Sequence, residues 1–175
     1  MNYYYLIASL PELALDRQPP LTLAAFEARC AEHLSGADLA ALRELLAGRQ
    51  EGVHAFSVAW QRTETLIRNA VVRHRAARLK RDATPALRPV TGVELWLERA
   101  VAEALARPQP QEREWALDQL RWKALDDAAG HNPFSSNALL AYAAKLRLAW
   151  RWAAMDLEAG RRALDAFLPK ETTAA

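Results

Sequence analysis

The sequence predicts an all-α fold: a single-domain helical bundle of about six helices, two of them long. Three observations carry this. Ala (37) and Leu (27) dominate the 175 residues, while Val (7), Ile (2) and Thr (7) are scarce; that balance favours helix and deprives a sheet of its usual formers. Apolar residues are 51% and charged residues 25% of the chain, a globular composition able to bury a core without disulfides. Apolar positions also recur at helical spacing between Pro and Gly breaks.

The elements follow in order. Tyr3-Tyr4-Tyr5-Leu6-Ile7 opens the chain and is expected to fold back on the bundle, since aromatics left in water are costly. Pro11 breaks this segment, and Asp16-Arg17-Gln18-Pro19-Pro20 reads as a stiff extended link. Thr22 can cap a helix from Leu23 to about Leu34. Ser35-Gly36-Ala37-Asp38 reads as a short-armed capping box for a second helix that stops at Gly48. A long helix is expected from Val53 to about Asp82, with Val53, Phe56, Trp60, Ile67 and Val71 as its apolar stripe.

Thr84 to Val90 is a Pro-containing loop. Thr91-Gly92-Val93-Glu94 is a fuller capping box, followed by a helix with Val93, Leu97, Ala100, Val101 and Ala104 on one face. After Arg107-Pro108-Gln109-Pro110, a helix covers about Gln111 to Ala129 and ends at Gly130. Trp115 and Trp122 lie seven apart there and share a face. The last helix begins near Ser135 or Ser136 and is expected to reach Phe167. Its seam is Leu139, Ala143, Leu146, Trp150, Ala153, Leu157, Gly160, Leu164 and Phe167. Leu148, Trp152, Met155 and Ala159 form an opposite face, expected to be buried internally. Pro169 stops the helix. The domain is thus 1–168, with 169–175 a flexible tail. Trp60, Ile67, Leu146, Trp150 and Leu157 are expected in the core.

The chemistry-bearing motifs of enzymes are not visible. Six glycines with no Gly-x-Gly spacing exclude a dinucleotide or phosphate-loop signature. His33, His54, His74 and His131 are too far apart for a local metal motif, and His74 reads as a structural residue ending the long helix's stripe. Asp126-Asp127 and the pair Glu94 and Glu98 read as solvated surface. No catalytic residue, cofactor or metal ligand is assigned, and no enzymatic activity is expected. The single cysteine, Cys30, reads as a buried structural thiol in a reducing cytoplasm. No secretory signal is read at the start, and no apolar run of about 18 residues is present.

One stretch is distinctive. From Arg68 to Arg88 there are seven Lys and Arg against one acid, Asp82, a net +6, although the whole chain carries only +2. Past Val71 the apolar stripe gives way to His74 and Arg78, while Arg73, Arg75, Lys80 and Arg81 occupy the other sides. A helix basic all round cannot be buried in its own core and should project. Arg73, Arg75, Arg78, Lys80 and Arg81 are therefore the candidate partner-binding residues. A solvated helix end, an acidic protein, nucleic acid and anionic lipid are the readings open for them. No small-molecule substrate is suggested. Arginine suits phosphate contacts, but no helix-turn-helix is recognisable, so a basic nucleic-acid-binding module stands as the alternative.

As a set, several segments resemble one family. These are Tyr3-Tyr4-Tyr5-Leu6-Ile7-Ala8-Ser9-Leu10-Pro11, Pro19-Pro20, Phe26 with Cys30, Glu64-Thr65-Leu66-Ile67-Arg68-Asn69, Arg121-Trp122, and Tyr142 with Lys145-Leu146. The family is an uncharacterised bacterial one, a domain of unknown function, whose genes commonly lie in V/A-type ATPase operons. The resemblance implies a counterpart of the all-helical central-stalk C (or d) subunit, whose Glu-x-x-x-Arg-Asn-Leu pattern Glu64, Arg68 and Asn69 resemble. It further implies V/A-type ATPase subunits as partners. Placement would be cytoplasmic, at the inner membrane only through those partners.

Overall fold

In a computed structural model, residues 3–49 and 52–155, with Gly160 and Arg162, are the described part of the chain. They form seven α-helices and one 3-10 turn, with no β-strand among them. The helices are α1 (Tyr4–Ala8), α2 (Leu23–Ala31), α3 (Gly36–Leu46), α4 (Ala55–Leu79), α5 (Leu95–Leu105), α6 (Pro110–Ala129) and α7 (Ser136–Ala153). The all-α bundle is as predicted. The extra helix is α1, because the opening aromatics coil rather than merely fold back. Tyr3 and Leu6 are buried, whereas Tyr5 is 93% exposed.

Local chemistry explains most of the boundaries. Thr22 Oγ1 accepts from Ala25 N at 3.1 Å, Ser35 Oγ from Asp38 N at 3.4 Å, and Ser135 Oγ from Ala138 N at 3.2 Å. Each satisfies a backbone donor that a helix start leaves free. The Thr91 box is not used. α5 starts four residues later, at Leu95, with Glu94 as an N-cap whose side chain does no capping. That carboxylate accepts from Arg62 Nη1 of α4 at 2.5 Å instead. Val93 and Val53 stay outside their helices, and Val53 is 99% exposed. α4 ends at Leu79 rather than Asp82, because Lys80 turns left-handed at φ 52°. The link after Pro11 is not fully extended either. It turns near Asp16, burying Leu15, and is tied down by Tyr142 Oη donating to Pro11 O at 2.9 Å.

α4, about 37 Å long by its 25 residues, and α6 run through two apolar clusters. Phe56 and Trp60 of α4 and Leu125 of α6 join Phe26, Leu42, Leu139, Leu140 and Leu146 in the larger one. Leu66, Ile67 and Ala70 of α4 and Leu117 and Leu120 of α6 join Leu97 and Val101 of α5 in the other. Trp60, Ile67 and Leu146 are buried as expected. Trp150 is only half-buried, because its indole Nε1 donates to Leu21 O at 2.7 Å on the rim of the core.

Of the opposite face of α7, Leu148 packs against the larger cluster, Trp152 stacks edge-on to Trp115 with centroids 4.8 Å apart, and Met155 is exposed. Leu157, Leu164, Phe167, Ala159 and the tail 169–175 lie outside the described residues, while Gly160 is helical and exposed. Cys30 is fully buried, and burial, reinforced by the charge of Glu27, pushes its thiol up to about 12. Such a thiol stays protonated and is no nucleophile.

Candidate docking surface and the ion-pair network behind it

The basic stretch divides in two. Arg73 does not project: its Nη2 pairs with Glu98 of α5 and holds α4 against that helix. Arg75, Arg78, Lys80 and Arg81 are exposed and have no acidic partner among the described residues. The expectation of a helix basic and free on every side is thus corrected at Arg73. The reason lies in Glu98, which with Glu94 had read as solvated surface; both are half-buried and paired to arginines of α4. Beside the free cations, His74, Arg75, Arg78, Leu105, Pro110, Arg113 and Glu114 line a groove of about 250 Å³. His74 Nε2 is buried there without a hydrogen-bond partner in the described structure.

The loop that carries Arg81 is braced. Asp82 Oδ1 accepts from Thr84 N at 3.0 Å and from Thr84 Oγ1 at 2.8 Å. These bonds, the backbone one first, hold the Asp82 carboxyl below its ordinary range. Further along, buried Asn69 of α4 donates to Arg88 O at 2.7 Å and accepts from Arg88 N at 3.0 Å. Arg68 Nη1 donates to Ala86 O at 2.9 Å. The free cations therefore sit on a fixed frame.

A second arrangement was not foreseen from the sequence. Asp118 of α6 is 0% exposed. Its Oδ1 accepts from Arg121 Nη1 at 2.7 Å. Its Oδ2 accepts from Arg151 Nη1 at 2.9 Å and Trp152 Nε1 at 2.8 Å, both of α7. Arg121 Nε reaches Glu64 of α4 at 2.9 Å, and Arg151 Nη2 reaches Glu114 at 3.1 Å. Burial would lower the Arg121 pKa, but the charges of Glu64 and Asp118 outweigh it and raise it. Along α4, Glu64 falls between Trp60 and Leu66; along α6, Asp118 and Arg121 fall between Leu117 and Leu125. The network thus occupies the boundary between the two apolar clusters. A faint signal existed: Glu114, Asp118 and Arg121 stand at helical spacing, and Asp118 lies seven before the fully buried Leu125.

All three residues of the Glu-x-x-x-Arg-Asn resemblance are internal ties. Glu64 binds Arg121, Arg68 binds Ala86, and Asn69 clamps Arg88. Among the described residues, no three His, Cys, Asp or Glu side chains converge as metal ligands, and no helix is long and apolar enough to cross a membrane.

Residues 94–170 match the model of a family described as a protein of unknown function, DUF2764. The match begins just before α5 and takes in Asp118, Arg121, Arg151 and Trp152, together with Glu98, the partner of Arg73. The free cations of α4 lie outside it. No curated protein and no solved structure matches the chain.

Proposed function

We propose that this chain is a non-enzymatic docking subunit or accessory factor of a V/A-type ATPase. It would act where the stalk is coupled to the membrane ring, or in assembly of that junction, and reach the membrane only through partners. The observation that carries the reading is the end of α4. Arg75, Arg78, Lys80 and Arg81 are solvated and unpaired among the described residues, yet their base is fixed by Arg73–Glu98 and the Asn69 clamp. A positive surface on a stiff support suits an acidic protein face, because its cations lose little freedom on docking. A close-packed bundle also transmits force without deforming. The family resemblance is the ground for choosing a V/A-type ATPase as the partner.

The test is recovery of the ATPase from native membranes by wild-type protein and by a variant with Arg75, Arg78, Lys80 and Arg81 all changed to Glu. The melting temperature should stay nearly unchanged, since exposed charges contribute about 0–1 kcal/mol per pair. Recovery should fall sharply for the variant, and for wild type at high salt. Equal recovery of the two proteins at low salt would overturn the docking role. Recovery of nucleic acid in place of ATPase subunits would favour the basic nucleic-acid-binding module.

A further inference from the structure

The opposite half of α4 borders a different basic feature. Arg49 after α3, Arg121 of α6, and Arg147 and Arg151 of α7 line a cleft of about 340 Å³, against one acid in its wall, Glu64. The size falls near the lower end of small-molecule sites. Two of these arginines are spent: Arg121 on Asp118 and Glu64, Arg151 on Asp118 and Glu114. Arg49 and Arg147 have no acidic partner among the described residues.

The fold also makes room for Arg147. Gly48 sits at φ +71°, and a Cβ there would come within 2.6 Å of Arg147 Nη2, so the guanidinium lies directly over bare backbone. Arg147 and Arg151 are one helical turn apart and share a face of α7. Ser57, also in the wall, holds a buried hydroxyl with no hydrogen-bond partner in the described structure. Buried hydroxyls are normally satisfied. Trp60, Leu45 and Leu148 add apolar surface to the lining.

We infer that this cleft binds the phosphoryl group of a small phosphomonoester. Two guanidiniums with no acidic partner among the described residues match a group carrying about −1.5 to −2 charges at neutral pH. Their planar forks suit its oxygens, and the apolar wall takes the organic part. Arg121 and Arg151, locked by their carboxylates, fix the rim on which the ligand settles. This site is separate from the docking surface and does not depend on the ATPase reading.

The experiment is isothermal titration of the full chain with phenyl phosphate and with inorganic phosphate at fixed ionic strength. Saturable binding is expected for both, tighter for phenyl phosphate, which also uses the apolar wall. Arg147→Gln and Arg49→Gln should each weaken it by at least about tenfold. Both residues are exposed, so circular dichroism melts should match wild type. Arg75→Gln with Arg78→Gln, at the far end of α4, should leave the affinity unchanged. Absence of saturable heat up to about 10 mM ligand would overturn the inference. So would equal loss in the Arg75 and Arg78 variant, which would mean diffuse attraction to a basic protein.

Discussion

Arg121 and Arg151 end on the carboxylate of Asp118, whereas Arg75, Arg78, Lys80 and Arg81 end in solvent. The residue type is nearly the same in both places, and Arg75 and Arg78 sit on a helix as Arg121 and Arg151 do, while Lys80 and Arg81 follow the end of α4. What differs is the neighbour. A carboxylate excluded from water is costly unless it is paired and hydrogen-bonded, so burying Asp118 between α6 and α7 commits Arg121, Arg151 and the Trp152 indole to it. At the end of α4 no carboxylate among the described residues pairs with the free cations, because Glu98 is taken by Arg73, Glu114 by Arg151, and Asp82 turns back on Thr84. Arginine is thus an internal brace in one region and an outward surface in the other, and only the packing of carboxylates distinguishes them.

This comparison can be broken at Asp118. Asp118→Ala removes one partner from a buried network and leaves the Trp152 Nε1 without its acceptor; a loss of about 3–5 kcal/mol is expected in urea unfolding. A loss under about 1 kcal/mol would place the network among surface pairs and erase the distinction. Asn69→Ala tests the frame of the outward surface. It deletes both bonds to the Arg88 backbone, with an expected cost of about 1–3 kcal/mol and faster hydrogen exchange at the Arg88 amide. Unchanged exchange would show that the loop is held by other contacts. The smallest effect belongs to Lys80→Gly. Lys80 adopts φ 52° with its backbone N–H bonded to the last turn of α4, a conformation that disfavours any residue with a Cβ. Glycine there should stabilise by up to about 1 kcal/mol while removing one docking charge. A destabilised variant would mean that the lysine side chain itself anchors the helix end.

The candidate site was half legible. Local charge counting found the basic stretch, but it assigned Arg73 to the wrong group, because Glu98 lies 25 residues away along the chain and meets it only through the pairing of α4 with α5. The same limit hid the Asp118 network. Its longest link, Arg121 to Glu64, spans 57 residues, and Arg151 and Trp152 reach Asp118 from another helix. The arginine cleft draws on Arg49, Arg121, Arg147 and Arg151 from three parts of the chain, and no spacing in the sequence joins them.

By itself the sequence determined what depends on near neighbours. Scarce β-branched residues and abundant Ala and Leu set the helical class. Thr22, Ser35 and Ser135 set helix starts, since a cap needs only a side-chain oxygen two or three residues ahead of a free amide. Glycines at 48 and 130 set helix ends by accepting positive φ. Tertiary structure decided what depends on distant neighbours. It moved the start of α5 to Leu95 by drawing Glu94 onto Arg62, and it placed an apolar cluster on each side of the Asp118 network. It also chose which arginines would be bound and which left facing water. The physical reason is common to all three. A charge's fate is set by its desolvation and by the nearest opposite charge in space, and the chain fixes that neighbour only when it folds.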